Sequence, residues 1–164
     1  MRKLLITILI STLLAAGVPL AAGAVEFTTG TAIAVTGDSI KVGSVGHRPE
    51  TLLLWGIEAP AMSAPDDIGL YARAALDDLL RQYGPNVKCT LDGIDRNAAV
   101  CQAGSVDLGA AMLLTGWAVA DRATMLADVP GGDAERTRRT ETYLDAEAAA
   151  RRDRKGRWAK MPVQ

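Results

Sequence analysis

Residues able to do chemistry are few in this chain and unevenly spread. There is one histidine, His47, and two cysteines, Cys89 and Cys101, so the usual ligands cannot assemble a zinc or iron–sulfur centre. Basic residues crowd one stretch, with Arg136, Arg138, Arg139, Arg151, Arg152, Arg154, Lys155 and Arg157 inside 22 positions. Such a run can form an anion-binding patch, but the more common outcome for charge on a helix is a solvated face. Acidic residues recur at Asp38, after a glycine, and at Asp66 and Asp67, after a proline. A Gly-Asp pair between strand-like runs is ordinary turn chemistry. An acidic pair just ahead of a helix interacts favourably with its dipole.

Overall charge narrows the classes further. The chain carries 18 Lys and Arg against 19 Asp and Glu; without Arg2 and Lys3 the balance is 16 against 19, a net charge of −3. A general nucleic-acid binder would carry a basic surplus. Arg2 and Lys3 open a stretch that reads as an export leader: an apolar run from Leu4 to Leu20, then small residues at Ala22-Gly23-Ala24. Gly17 and Pro19 interrupt that run, which disfavours a continuous bilayer span of about 20 residues. Cleavage is expected after Ala24, giving a leader over 1–24 and one domain over 25–164, periplasmic or secreted, with no integral membrane association once the leader is removed. About 140 residues suit a single core.

The elements that must position any site follow from pattern. Phe27 to Val35 and Ser39 to Val42 read as a hairpin about Gly37-Asp38, and Thr51 to Ile57 as a buried strand. Ile68, Ala72, Ala75, Leu76, Leu79 and Leu80 fall at helical spacing, and the helix stops near Tyr83-Gly84-Pro85. Val87 to Leu91 and Ala98 to Gln102 form a second hairpin. A turn centred on Asp95 sets Cys89 opposite Cys101, within reach of a disulfide; the alternative is two reduced, buried thiols, structural either way. Asp107 caps a helix over Leu108 to Leu114 that Gly116 ends, and Trp117 to Val119 run extended into a loop. After Pro130-Gly131-Gly132 a long helix carries Tyr143, Leu144, Ala146 and Ala150, until Gly156 stops it and Trp158 folds back onto the core.

Five motifs in order carry a resemblance. They are Gly37-Asp38-Ser39; Leu54 to Pro60, ending Gly-Ile-Glu-Ala-Pro; Asp95-Arg96; Asp107-Leu108 with Gly116-Trp117-Ala118; and Tyr143-x-x-x-Glu147-x-x-Ala150-Arg151 leading to Gly156-Arg157-Trp158. The chain resembles the staphylococcal nuclease-like (thermonuclease) family over essentially all of 25–164. The resemblance implies an α+β, mainly β-barrel fold: a five-stranded OB-fold barrel with three α-helices.

It also implies a chemistry that this chain largely lacks. Members of that family hydrolyse phosphodiester bonds with a calcium ion, a carboxylate that positions water, two phosphate-binding arginines and nucleotide-contacting tyrosines. Asp38 matches a metal-binding aspartate, and Glu58 stands where a second acidic ligand is expected. Leu53 and Ala99 replace the two arginines, Ala61 replaces the catalytic glutamate, and Asn97 replaces the hairpin tyrosine. Arg122 and Thr124 fall where the nucleotide tyrosines belong. A positioned acid or base is worth ~10²–10⁴ in rate, and an arginine on a phosphoryl-transfer transition state ~10³–10⁵.

The expectation is therefore a non-catalytic exported domain with a binding or structural role. The alternative is a divergent calcium-dependent nuclease acting on DNA or RNA and recruiting Arg48, Arg96 and Asp66 or Asp67. No residue is assigned a catalytic role. Any calcium bound by Asp38 and Glu58 is expected to be weak, because two carboxylates supply few of its ~6–8 oxygens. Nucleic acid and another protein both stand as partners, with no nucleic-acid-binding residues identified. Trp55, Trp117 and Trp158 read as core in preference to base-stacking platforms.

Overall fold

A computed structural model describes residues 27–92, 95, 97–127 and 134–160. The leader over 1–24 and Arg96 lie outside the described residues. Five strands close into a barrel: β1 (Phe27–Ala34), β2 (Ser39–Gly43), β3 (Glu50–Leu54), β5 (Asn86–Leu91) and β6 (Ala98–Ala103). Their order is β3-β2-β1-β5-β6, every neighbour antiparallel, and a parallel pairing of Leu53 with Ala98 and Leu54 with Ala99 joins β3 to β6. Two-residue strands β4 (Ile57–Glu58) and β8 (Val119–Ala120) form a separate ribbon, and β7 (Val106–Asp107) extends β6.

Alternation decides which side chains fill the barrel. Ala32 and Ala34, Ile40 and Val42, Leu52 and Leu54, and Val87 and Cys89 are all buried, whereas their neighbours Ile33, Lys41, Leu53 and Lys88 are exposed. Cys89 faces Cys101 in register and is bonded to it, with Cα atoms 4.0 Å apart. Both are essentially inaccessible to solvent, so the disulfide is a staple inside the barrel. In the chain-entropy view a closed loop of this length stabilises by about 3 kcal/mol.

Helices cover the rest of the core. α1 (Ile68–Tyr83) buries Ala72, Leu76, Leu79 and Leu80; α2 (Leu108–Thr115) buries Leu108, Met112 and Leu113; α4 (Ala134–Arg152) buries Arg136, Tyr143, Glu147 and Ala150. Both expected ends of α2 are present: the Asp107 carboxylate accepts from the Ala110 amide at 3.0 Å, and Gly116 takes φ 78°. A fourth helix, α3 (Arg122–Met125), lies in the segment after Val119 that the sequence reads as loop. Its cause is Asp121, whose carboxylate accepts from the Ala123 and Thr124 amides and so nucleates one turn. The expected single strand from Thr51 to Ile57 is also divided, because Gly56 at φ 70° turns the chain between β3 and β4.

Candidate functional site

The positions singled out by the resemblance meet at one end of the barrel. Asp38 sits in the β1–β2 turn, and its backbone oxygen accepts from the Leu54 amide at 2.7 Å. Ser39 pairs with Leu53, the Trp55 amide donates to the Ala99 oxygen at 2.9 Å, and the Ala59 amide reaches the Asp38 carboxylate at 2.9 Å. Asp38, Leu53, Ala99 and the segment bearing Glu58 thus share one corner. Gly37 permits the approach: a Cβ there would stand 2.6 Å from Ala72 Cβ and 2.7 Å from Ala59 Cβ.

The chemistry of that corner is that of a structural clamp. Asp38 Oδ1 accepts from the Thr36 hydroxyl at 2.6 Å and Oδ2 from the Ala59 amide, so both oxygens hold the turn against the chain leaving β4. Glu58 points to solvent. Leu53 is 46% exposed and Ala99 fully buried. Ala61 lies in the loop before α1, its backbone so close to Gly69 in the first turn of that helix that a Cβ on the glycine would overlap it. Among the described residues no three carboxylate, imidazole or thiol groups converge on a point where an ion could sit. The donor set therefore does not fit a calcium ion, whose ~6–8 oxygens would have to come almost entirely from water.

The other expected residues are scattered or engaged. Arg48 lies before β3, at the end of the barrel opposite Asp38, because Val42 pairs with Glu50 and Ser39 with Leu53 along the same ladder. Three residue steps along that ladder already span roughly 10 Å. Asp66 and Asp67 precede α1, exposed and in left-handed conformations (φ 60° and 56°), with no side-chain bond to the helix amides. Thr124 bonds the Asp121 carboxylate through its hydroxyl. Arg122 is 60% exposed and lies 3.5 Å from Glu147 Oε2.

Two polar clusters on α4 were not foreseen. Glu147 is a buried carboxylate whose Oε1 accepts from the Ala120 amide at 3.3 Å and from Arg151 at 3.0 Å, while Arg122 approaches Oε2. Arg136 is buried beneath the helix, donating to Asp92 at 2.8 Å and to the Thr124 carbonyl at 2.6 Å, with its guanidinium 5.0 Å from the Trp55 ring centre. The spacing 136, 143, 147, 150 marks one helical face. That signal was present in the sequence but was hidden by the arginines around it.

The rest of the basic run is engaged within the chain. Arg138 and Arg139 pair with Glu135, Arg152 and Lys155 with Asp153, and Arg151 lies 4.2 Å from the Trp158 ring centre. Trp55 is core, its ring tilted against Tyr143 with centres 5.6 Å apart, whereas Trp117 and Trp158 are half-buried, Trp117 against Tyr71 at 5.5 Å. The Tyr143 hydroxyl donates to Asp107 at 2.7 Å. Burial first, and the Asp107 charge second, hold this phenol well above the ordinary tyrosine range, so it stays neutral and is no nucleophile. No described helix is long and apolar enough to cross a membrane. Compared with known proteins, the chain matches no protein-family model and no curated protein.

Proposed function

We propose that this chain is an exported OB-fold module of the staphylococcal nuclease type that does not cleave nucleic acid and acts by binding. One observation carries the reading: at the corner where the family's chemistry would lie, the Asp38 carboxylate accepts from Thr36 and Ala59, and the strand positions beside it are Leu53 and Ala99. A phosphodiester placed there would meet a negative charge, an exposed leucine and no guanidinium from the described strands. The interior disulfide fits an oxidising compartment, which supports a periplasmic or secreted location. Exposed Ile33, Val35 and Leu53, on β1, the following turn and β3, give that side of the barrel the apolar character of a contact surface.

The test is a hydrolysis assay of the purified protein on single-stranded DNA and RNA with calcium present. No cleavage above a mock preparation is expected, and Asp38→Ala should lower thermal stability without altering that baseline. Cleavage abolished both by chelation and by Asp38→Ala would refute the proposal and favour a divergent nuclease.

A further inference from the structure

We propose that the mouth of the barrel opposite the Asp38 turn binds a small zwitterion, a molecule carrying a carboxylate and an ammonium group, as free amino acids and short peptides do. The mouth opens as a cavity of about 530 Å³ among Thr28, Val42, Ser44, His47, Arg48 and Glu50. That volume lies within the ~300–1,000 Å³ typical of small-ligand sites, and barrel mouths are a recurrent place for them.

Strand alternation builds the cavity. Val42 pairs with Glu50, and one step deeper Ile40 pairs with Leu52. Ile40, Leu52 and Val42 are buried, so Glu50 starts its strand on the inward face. Thr28 falls on the inward face of β1 with Ala32 and Ala34. Val42 is the apolar floor. The wall between β2 and β3 is pinned by the Ser44 hydroxyl, which donates to the Thr29 carbonyl, and by a turn from the His47 amide to the Ser44 carbonyl at 3.2 Å.

Charge then selects the ligand. Arg48 and Glu50 line the same cavity, yet neither forms an ion pair with the other or with any other described residue. The arginines of α4, by contrast, are engaged internally. A guanidinium fork matches a carboxylate, and Glu50 is left to receive an ammonium. A phosphate would satisfy Arg48 but meet Glu50, and an apolar molecule would desolvate both charges with no partner for either. The Thr28 hydroxyl and the His47 imidazole add further hydrogen-bonding groups along the wall.

Titration calorimetry with triglycine tests this on the purified protein, with triglycine amide, N-acetyl-triglycine and inorganic phosphate as comparators. Triglycine should bind saturably. Arg48→Gln, or amidation of the ligand, should weaken binding at least about tenfold, the loss of one charged contact. Glu50→Gln should weaken triglycine but leave N-acetyl-triglycine unchanged. Both residues are exposed and form no ion pair with any described residue, so neither variant should shift the melting temperature. Absence of saturable triglycine binding, binding indifferent to both substitutions, or phosphate binding as tight as triglycine would each overturn the proposal.

Discussion

The same residue type serves different ends here, according to what surrounds it. Asp38 and Glu58 are both acidic and adjacent in space, but Asp38 is a turn clamp with two donors and Glu58 is solvated. Asp38→Ala should therefore cost about 1–3 kcal/mol by stranding the Ala59 amide, read as a lower midpoint in chemical denaturation. Arg136 and Asp92, each 10% exposed at the side chain, make the opposite case to the surface pairs. Arg136→Ala should cost about 3–5 kcal/mol because it removes the cation from a largely buried carboxylate that keeps, among the described residues, only the Asp95 amide. An Arg136→Met, Asp92→Leu double variant should recover most of that loss, and if it proves no more stable than the single variant, the buried pair is not what the single variant lost. Tyr143 adds a pH dependence. Its phenol is raised in the folded state, so it contributes fully below the unfolded tyrosine range near ~10. That contribution is lost as pH rises beyond it, where only the unfolded chain ionises. Tyr143→Phe should flatten the alkaline fall in stability measured between neutral pH and strongly alkaline buffer.

At the scale of elements, what could be read from the sequence followed the strength of the pattern. Ile68 to Tyr83 announces itself by apolar spacing, and α2 by Asp107 and Gly116 at its ends. The turn about Asp95 placed the two cysteines in register because hairpin geometry leaves little choice. What could not be read was local competition. Asp121 nucleates α3 through side-chain bonds that apolar periodicity does not carry, and Gly56 breaks an unbroken apolar run by its backbone conformation alone. The convergence of Asp38, Leu53 and Ala99 was implied only through motif order, and the unpaired charges at the barrel mouth not at all, since Arg48 and Glu50 meet a cavity that needs β1 to complete it. The disulfide offers a test at this scale. Because Cys89 and Cys101 are buried between β5 and β6, reductant should reach them only when the hairpin opens. Thiol release in native buffer should track the unfolding rate and rise with denaturant, and rapid release from the folded protein would contradict an interior staple.

For the molecule as a whole, the question is whether the fold has room for the side chains that the proposed absence of cleavage rests on. Leu53 is exposed, so Leu53→Arg changes only the surface, where substitutions usually alter stability by no more than about 0.5 kcal/mol. Ala61 is exposed as well, and Ala61→Glu should be accepted. Ala99 differs: it is fully buried and its neighbours along the ladder are the paired strands themselves. Ala99→Arg would force a long cation into a packed interior, which costs several kcal/mol in desolvation and overpacking together. The Leu53→Arg, Ala61→Glu double variant should fold and remain inactive on single-stranded DNA with calcium, because Ala99 still supplies no second guanidinium. Adding Ala99→Arg should collapse the thermal transition before it adds any rate. Circular dichroism and the hydrolysis assay together read both outcomes. A triple variant that melts like the parent and cleaves DNA would show that the barrel had kept the space for an active site, and that only three side chains separate this chain from a nuclease.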